Sequence, residues 1–337
     1  FWINKRTLFE QFTFFNSYTK SMFASSDFTN IASFSQIAWC NISPLCAMIP
    51  SDQRVHFFDD QGNEFTNFSI SRSARATSLA FSPVSGALAV GWNDGAVTVW
   101  RNGTVNEAPQ VHRAPVNLIS WDDASAYFLS ASEDGTVCCW DTSTVILPLF
   151  KGVSRAVFTS AVWCPGDNPF AFLASNEGHL YTFESGQDSL KELCSCPKPI
   201  HALRIVPAVN RVIVVSGENY LSQYNLPPSL TKHNQVKLPA GDPPQFTSLR
   251  SDTLAYSIGD TIYISNFQNE ELQILRTKNS QKVTSLHWSH YSAELFATTI
   301  DGFIYIWKST MKGLVSKLGW SAPIISDLNV RIENAIW

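Results

Sequence analysis

The chain has 337 residues, of which 45% are apolar, 13% aromatic and only 15% charged, with 24 basic side chains against 28 acidic ones. So little charge, well below the roughly 25% of ordinary soluble domains, suits stacked β-sheets that are apolar on both faces. The net charge of -4 provides no electrostatic footprint for nucleic acid, and no apolar run approaches the roughly eighteen residues of a membrane-spanning helix.

Residues 1–30 read as an N-terminal extension without a defined element. Phe1 to Lys20 is rich in Phe but broken by Asn4, Lys5, Arg6, Glu10 and Gln11, unlike a signal peptide. The chain opens on Phe, and Met22 reads as a start.

From residue 31 to 320 one pattern recurs: three short β-rich runs, the second and third joined by a tight turn. Using the last residue of each third run as a ruler, the marks fall at Phe58, Trp100, Trp140, Phe183, Tyr224, Ser265 and Trp307, at intervals of 42, 40, 43, 41, 41 and 42. A period near forty residues signals a propeller. The first repeat (Phe34–Trp39, Leu45–Ile49, Arg54–Phe58, with Glu64–Ser69 outside) has no Asp-Gly turn. The second and third are the clearest, with Leu88–Trp92 and Phe128–Ser132 leading through Asp94-Gly95 and Asp134-Gly135 into Ala96–Trp100 and Thr136–Asp141. Asp-Gly between β-formers is a strong hairpin signal because Gly supplies positive φ without strain. The fourth repeat turns at Asn176-Glu177-Gly178, the fifth runs through Arg211–Ser216 and Tyr220–Tyr224, the sixth turns at Gly259-Asp260, and the seventh restores Asp301-Gly302. Outer fourth strands are expected at Thr104–Val111, Thr144–Phe150, Leu190–Cys194, Glu271–Arg276 and Gly313–Leu318. A lone sheet of this kind cannot bury both faces, so seven stack face to face and close into a ring. Residues 321–337, with Pro323–Leu328 and Asn334–Trp337, read as the start of a further, truncated repeat.

These repeats resemble the WD-repeat β-propellers: an all-β, seven-bladed propeller of four-stranded antiparallel blades. The family's blades are held by a hydrogen-bonded network of a His before the first strand, a Ser or Thr on the second, the turn Asp and the terminal Trp. The third repeat carries all four, at His112, Ser130, Asp134 and Trp140. Leu88–Trp92 with Gly95–Val99, Arg211–Val215 with Leu221–Pro228 and Val236–Leu238, and Ser257–Asp260 are similar to the first propeller of the intraflagellar transport protein 140 family. That resemblance implies a non-enzymatic interaction scaffold of intraflagellar transport complex A, acting in retrograde intraciliary transport, cilium assembly and ciliary entry of membrane proteins. It implies other complex A subunits and ciliary cargo adaptors as partners, and the cilium (axoneme and basal body) and cytoplasm as location. The family continues into a second propeller and a helical-repeat arm, which accounts for an eighth repeat opening here. The alternative is a WD-repeat adaptor that recruits substrates to a ubiquitin ligase or another enzyme complex.

No catalytic, metal or cofactor site is expected. Ser130, His112 and Asp134 invite comparison with a hydrolase triad, but no Gly-x-Ser-x-Gly elbow accompanies them. His201 and His287 read as structural side chains. Seven cysteines, several within expected strands (Cys138, Cys139, Cys164), read as small core hydrophobes in a reducing compartment, and Cys194-Ser195-Cys196 lacks a second pair at zinc spacing. For contact with a partner the candidates are Trp92, which stands where small residues usually precede the turn and whose alternative is packing against the neighbouring blade, Tyr220, and the Pro227-Pro228 and Pro243-Pro244 loops, which carry the same two readings.

Overall fold

A computed structural model describes residues 34–327 apart from short stretches, the longest being 240–244 and 289–293. The N-terminal extension, Met22, Pro243-Pro244 and the end of the chain from 328 lie outside the described residues.

The described residues fold into seven antiparallel sheets, six of them four-stranded meanders with the first strand at one edge and the last at the other, and the seventh five-stranded, with two segments pairing on its third strand. Sheet one is Phe34–Trp39, Leu45–Pro50, Val55–Asp59 and Glu64–Ile70 (β1–β4), and sheet two is Ala76–Phe81, Leu88–Trp92, Val97–Arg101 and Thr104–Glu107 (β5–β8). Sheet three is Val116–Trp121, Tyr127–Ser132, Thr136–Asp141 and Leu147–Val153 (β9–β12), and sheet four is Phe158–Trp163, Phe170–Ser175, His179–Glu184 and Lys191–Ser195 (β13–β16). Sheet five is Ile200–Val206, Arg211–Ser216, Tyr220–Asn225 and Lys232–Lys237 (β17–β20), and sheet six is Gln245–Leu249, Thr253–Ile258, Thr261–Asn266 and Glu271–Arg276 (β21–β24). Sheet seven opens with Val283–Trp288, Glu294–Thr299 and Phe303–Lys312 (β25–β27), followed by Lys317–Trp320 and Ile324–Asp327 (β28, β29). This is the expected all-β, seven-bladed WD-repeat propeller.

The chain forms two compact units, one of Ala24–Ile205 with Ser216–Glu218, the other of the remaining residues. Within the first, the cores lie between neighbouring sheets. Ile49, Phe57, Val90 and Trp92 pack sheets one and two together, Val99, Val116, Phe128 and Trp140 sheets two and three, and Leu129, Phe158, Leu173 and Phe183 sheets three and four. In the second unit Ala255, Ile264, Leu286, Leu295 and Trp307 join sheets six and seven. Second strands are covered on both faces, so Leu88–Trp92 and Phe170–Ser175 are buried at every position. That explains why they read as continuous apolar runs instead of alternating ones.

The indole N–H groups of Trp121 and Trp163, each at the end of a first strand, donate to the preceding sheet's first strand, at Ala80 O (3.0 Å) and Ser120 O (3.1 Å).

The outer partner of the seventh sheet is corrected by the structure. Ile324–Asp327, read as the opening of a further repeat, pairs antiparallel with Phe303–Ile306, while Lys317–Trp320 folds back on the far half of β27, Ser309–Lys312. Ile325 packs against the core of sheets six and seven, and this burial accounts for the placement.

Candidate functional site

The turns of sheets one to three share one geometry. In sheet three Asp134 Oδ1 accepts from Thr136 N (2.8 Å), in sheet two Asp94 Oδ1 accepts from Ala96 N (3.0 Å), and in sheet one Asp52 Oδ1 accepts from Arg54 N (3.1 Å). Gly135 and Gly95 hold φ of 80° and 82°, and Gln53 takes the same place at 68°. The first repeat therefore has an Asp turn after all, hidden because Gln stands where Gly was sought. At Gly95 a Cβ would lie 2.5 Å from His112 O, so the turn also needs Gly to let the next strand approach.

Around the sheet-three turn the structure brings His112, Ser130 and Trp140 together, all buried. Trp140 Nε1 donates to Ser130 Oγ (2.7 Å), and Ser130 Oγ lies 2.6 Å from His112 Nε2. His112 Nδ1 contacts Thr136 Oγ1, whose hydroxyl donates to Asp134 Oδ1 (2.5 Å). Asp134 thus reaches His112 through Thr136, a member that the sequence pattern left out. Its Oδ2 accepts from Arg113 N (2.8 Å).

Every group is satisfied if protons run one way, from indole to Ser130, from Ser130 to Nε2, from Nδ1–H to Thr136, and from Thr136 to the carboxylate. That assignment requires a neutral imidazole, and burial pushes the His112 pKa down to about 4. Hydrogen bonds from Thr136 and Arg113 outweigh partial burial and hold Asp134 below the usual carboxylate range. With Ser130 and His112 both sealed from solvent, no substrate carbonyl can reach the hydroxyl, so the cluster acts as a clasp between strands.

Sheet two solves the same problem with other residues. Val116 pairs with Ser132 in sheet three, and Ala76 pairs with Trp92 in sheet two, which sets Arg72 in the place of His112, four residues before each. Arg72 lies 5.6 Å from the centroid of the Trp92 ring, with Nη2 3.2 Å from Asp94 Oδ2 and Nη1 2.7 Å from Glu107 Oε1. Trp92 Nε1 donates to Thr98 Oγ1 (3.0 Å).

Trp92 is 0% exposed, so it is not a contact residue for a partner; small Ala76 opposite it leaves room for the indole to turn into the core. Tyr220 opens β19, half-buried under Lys237, whose Nζ is 5.8 Å from its ring centroid. Asp301-Gly302 forms the sheet-seven turn, with Gly302 at φ 92° and its N–H on Thr299 O (3.0 Å). His287 is half-buried in β25, and the side chain of His201 lies outside the described residues.

In sheet one, His56 stands between two carboxylates, Nε2 2.7 Å from Asp52 Oδ2 and Nδ1 2.7 Å from Glu64 Oε1. Partial burial lowers its pKa, but the two carboxylates outweigh this and the net shift is upward. All seven cysteines are free thiols, and burial raises Cys139 and Cys164 to about 12. Among the described residues no group of three or more His, Cys, Asp or Glu could hold a metal ion, and no helix is long and apolar enough to cross a membrane.

Meanders of this kind, stacked in sevens, are the architecture of the β-propellers; this chain has that fold and resembles the WD-repeat propellers. Residues 269–308 match the WD domain, G-beta repeat. Residues 25–144, which include the turn clusters of sheets one to three, match the family described as the IFT140 first beta-propeller, and the chain resembles that propeller. The Schizosaccharomyces pombe pre-rRNA-processing protein crb3/ipi3 is 20% identical over 83% of this chain and 65% of its own length. The Drosophila melanogaster retinoblastoma-binding protein 5 homolog is 38% identical over 20% of this chain and 14% of its own. The chain thus spans less than two thirds of either relative. Saccharomyces cerevisiae Sqt1 shares the fold, with a TM-score of 0.66 at 15% identity over 89% of this chain and 87% of that one. The computationally designed Ika8 protein does so with a TM-score of 0.64 at 16% identity over 82% and 83%.

Proposed function

We propose that this chain is a non-enzymatic interaction scaffold that works in intraflagellar transport complex A, in retrograde intraciliary transport, cilium assembly and ciliary entry of membrane proteins. The match of residues 25–144 to the IFT140 first propeller carries this reading. It is specific to a stretch with its own chemistry, where Arg72, Trp92 and Asp94 replace the His-based clasp of the neighbouring sheet. The partners on this reading are other complex A subunits and ciliary cargo adaptors, in the cilium and cytoplasm. A propeller contributes rigid loop-bearing faces, and function resides on them rather than in the fold.

The pre-rRNA-processing relative covers most of the chain at lower identity and supports a second reading, a WD-repeat subunit of a different assembly. Tagging the full-length protein in a ciliated cell separates the two. Movement along cilia with co-purified complex A subunits is the expected result. A nucleolar protein bound to pre-ribosomes, or a cytoplasmic one bound to a ubiquitin ligase, would overturn the ciliary reading and leave the fold untouched.

A further inference from the structure

Among the described residues the last strand of each four-stranded sheet is paired along one edge only, and such an edge invites another strand unless polar side chains guard it. Thr104–Glu107, Lys191–Ser195 and Lys232–Lys237 are guarded in this way, their exposed positions being polar or charged apart from Val105 and Val236. Leu147–Val153 is different. Leu147, Leu149 and Val153 are 52%, 51% and 71% exposed, with exposed Lys151 as the only charge among them; Lys151 and Val153 share one face, Leu149 lies at the register shift, and Leu147 falls on the opposite face beyond it.

The backbone of β12 is also available. Ser154 N donates to Gly135 O (2.8 Å), and alternation along a strand then turns the N–H and C=O of Lys151 and Val153 away from β11 toward the open edge. Pro148 and the register shift beside it bound this edge, leaving about five residues for pairing.

We propose that the edge of β12 binds an extended segment of a partner protein as a fifth strand. The segment sets aliphatic side chains beside Leu149 and Val153 and an acidic one beside Lys151. Main-chain bonds supply affinity and alternate side chains supply selectivity in this mode of recognition. A second copy of this chain is disfavoured, because the available edge is centred on Lys151 and a symmetric copy would oppose one Lys151 to another. The proposal deepens the scaffold reading and rests on it for the premise that the chain binds proteins.

The test uses the whole 337-residue chain and a short fluorescein-labelled peptide that alternates Val with Thr and carries Glu in place of its central Val. This peptide reads the same in either direction. A saturable rise in polarisation is expected, weakened about tenfold by Lys151→Glu and restored on that variant by a Lys-centred peptide. Backbone N-methylation of the peptide should abolish binding. No saturable rise, equal binding to Lys151→Glu, or equal binding of the N-methylated peptide overturns the proposal, as does a dimer in sedimentation that Lys151→Glu dissolves. Lys151 is exposed, so the variant should keep the wild-type unfolding midpoint. If the peptide fails while the tagged protein still co-purifies partners, the edge proposal falls alone; if the tagged protein captures no protein at all, the scaffold reading falls.

Discussion

Sheets two and three carry the same Asp-Gly turn and the same terminal Trp, yet they fasten that turn in different ways. Sheet three threads a line of hydrogen bonds through a buried, uncharged imidazole, from Trp140 to Asp134. Sheet two presses a permanently charged guanidinium onto a buried indole and closes it with two exposed carboxylates. The turn backbone is therefore the constant, and the side chains that brace it are exchangeable as sets. Ser130 has no use for its hydroxyl without His112 and Trp140 beside it, and its counterpart in sheet two is Val90.

Removing the anchor of sheet two should have the largest effect. Trp92→Ala empties a fully buried site and is expected to cost about 3 to 5 kcal/mol, measured by chemical denaturation. A loss under about 1 kcal/mol would mean that Arg72 and Thr98 hold the turn without the ring.

The second difference is in pH response. His112 titrates near 4 when folded and near 6.5 when unfolded, so between those values the unfolded chain binds a proton that the folded one refuses. Stability should rise across that window by about 3 kcal/mol in all, and His112→Gln should flatten the rise. His56 acts in the opposite sense. Its folded pKa is raised, so its contribution is complete below the unfolded value and is lost as pH climbs through the folded one. His56→Gln should therefore lower stability below about pH 6.5 and remove the fall that the unsubstituted chain shows as pH climbs above it.

Asp134→Ala strands the Thr136 hydroxyl and the Arg113 N–H, and is expected to cost about 1 to 3 kcal/mol. An unchanged midpoint would show that the line of bonds ends at Thr136. The smallest effect belongs to Arg72→Met, which keeps the contact over Trp92 and removes two solvent-screened ion pairs. About 0.5 to 1 kcal/mol is expected, falling further in high salt.

The architecture was legible in the sequence because its signals are local. A tight turn needs Gly or Asp, a doubly covered strand needs an apolar run, and both recur every forty-odd residues. The outer strands were harder to read. Glu271–Arg276 fell where expected, whereas Lys232–Lys237, exposed throughout and polar except at Val236, had no apolar pattern to find. Ile324–Asp327 looked like a strand but did not reveal its partner, since pairing depends on which open edge lies nearby. Thr136 was overlooked as a relay because any small polar residue suits the position after a turn Gly. The two readings of Trp92, exposed or packed against the next sheet, stayed open in the sequence for the same reason. Its companion Arg72 sits twenty residues upstream, and only the Ala76–Trp92 pairing shows that the two meet.

The indole bonds from Trp121 to Ala80 and from Trp163 to Ser120 have a dynamic consequence. Each first strand is tied to its predecessor by a donor that water would have to replace, so the inner strands of sheets two, three and four cannot open one at a time without leaving a buried N–H stranded. Their slowest amides should exchange with solvent deuterium as a single block at one common free energy, and Trp163→Phe should split sheet four from that block.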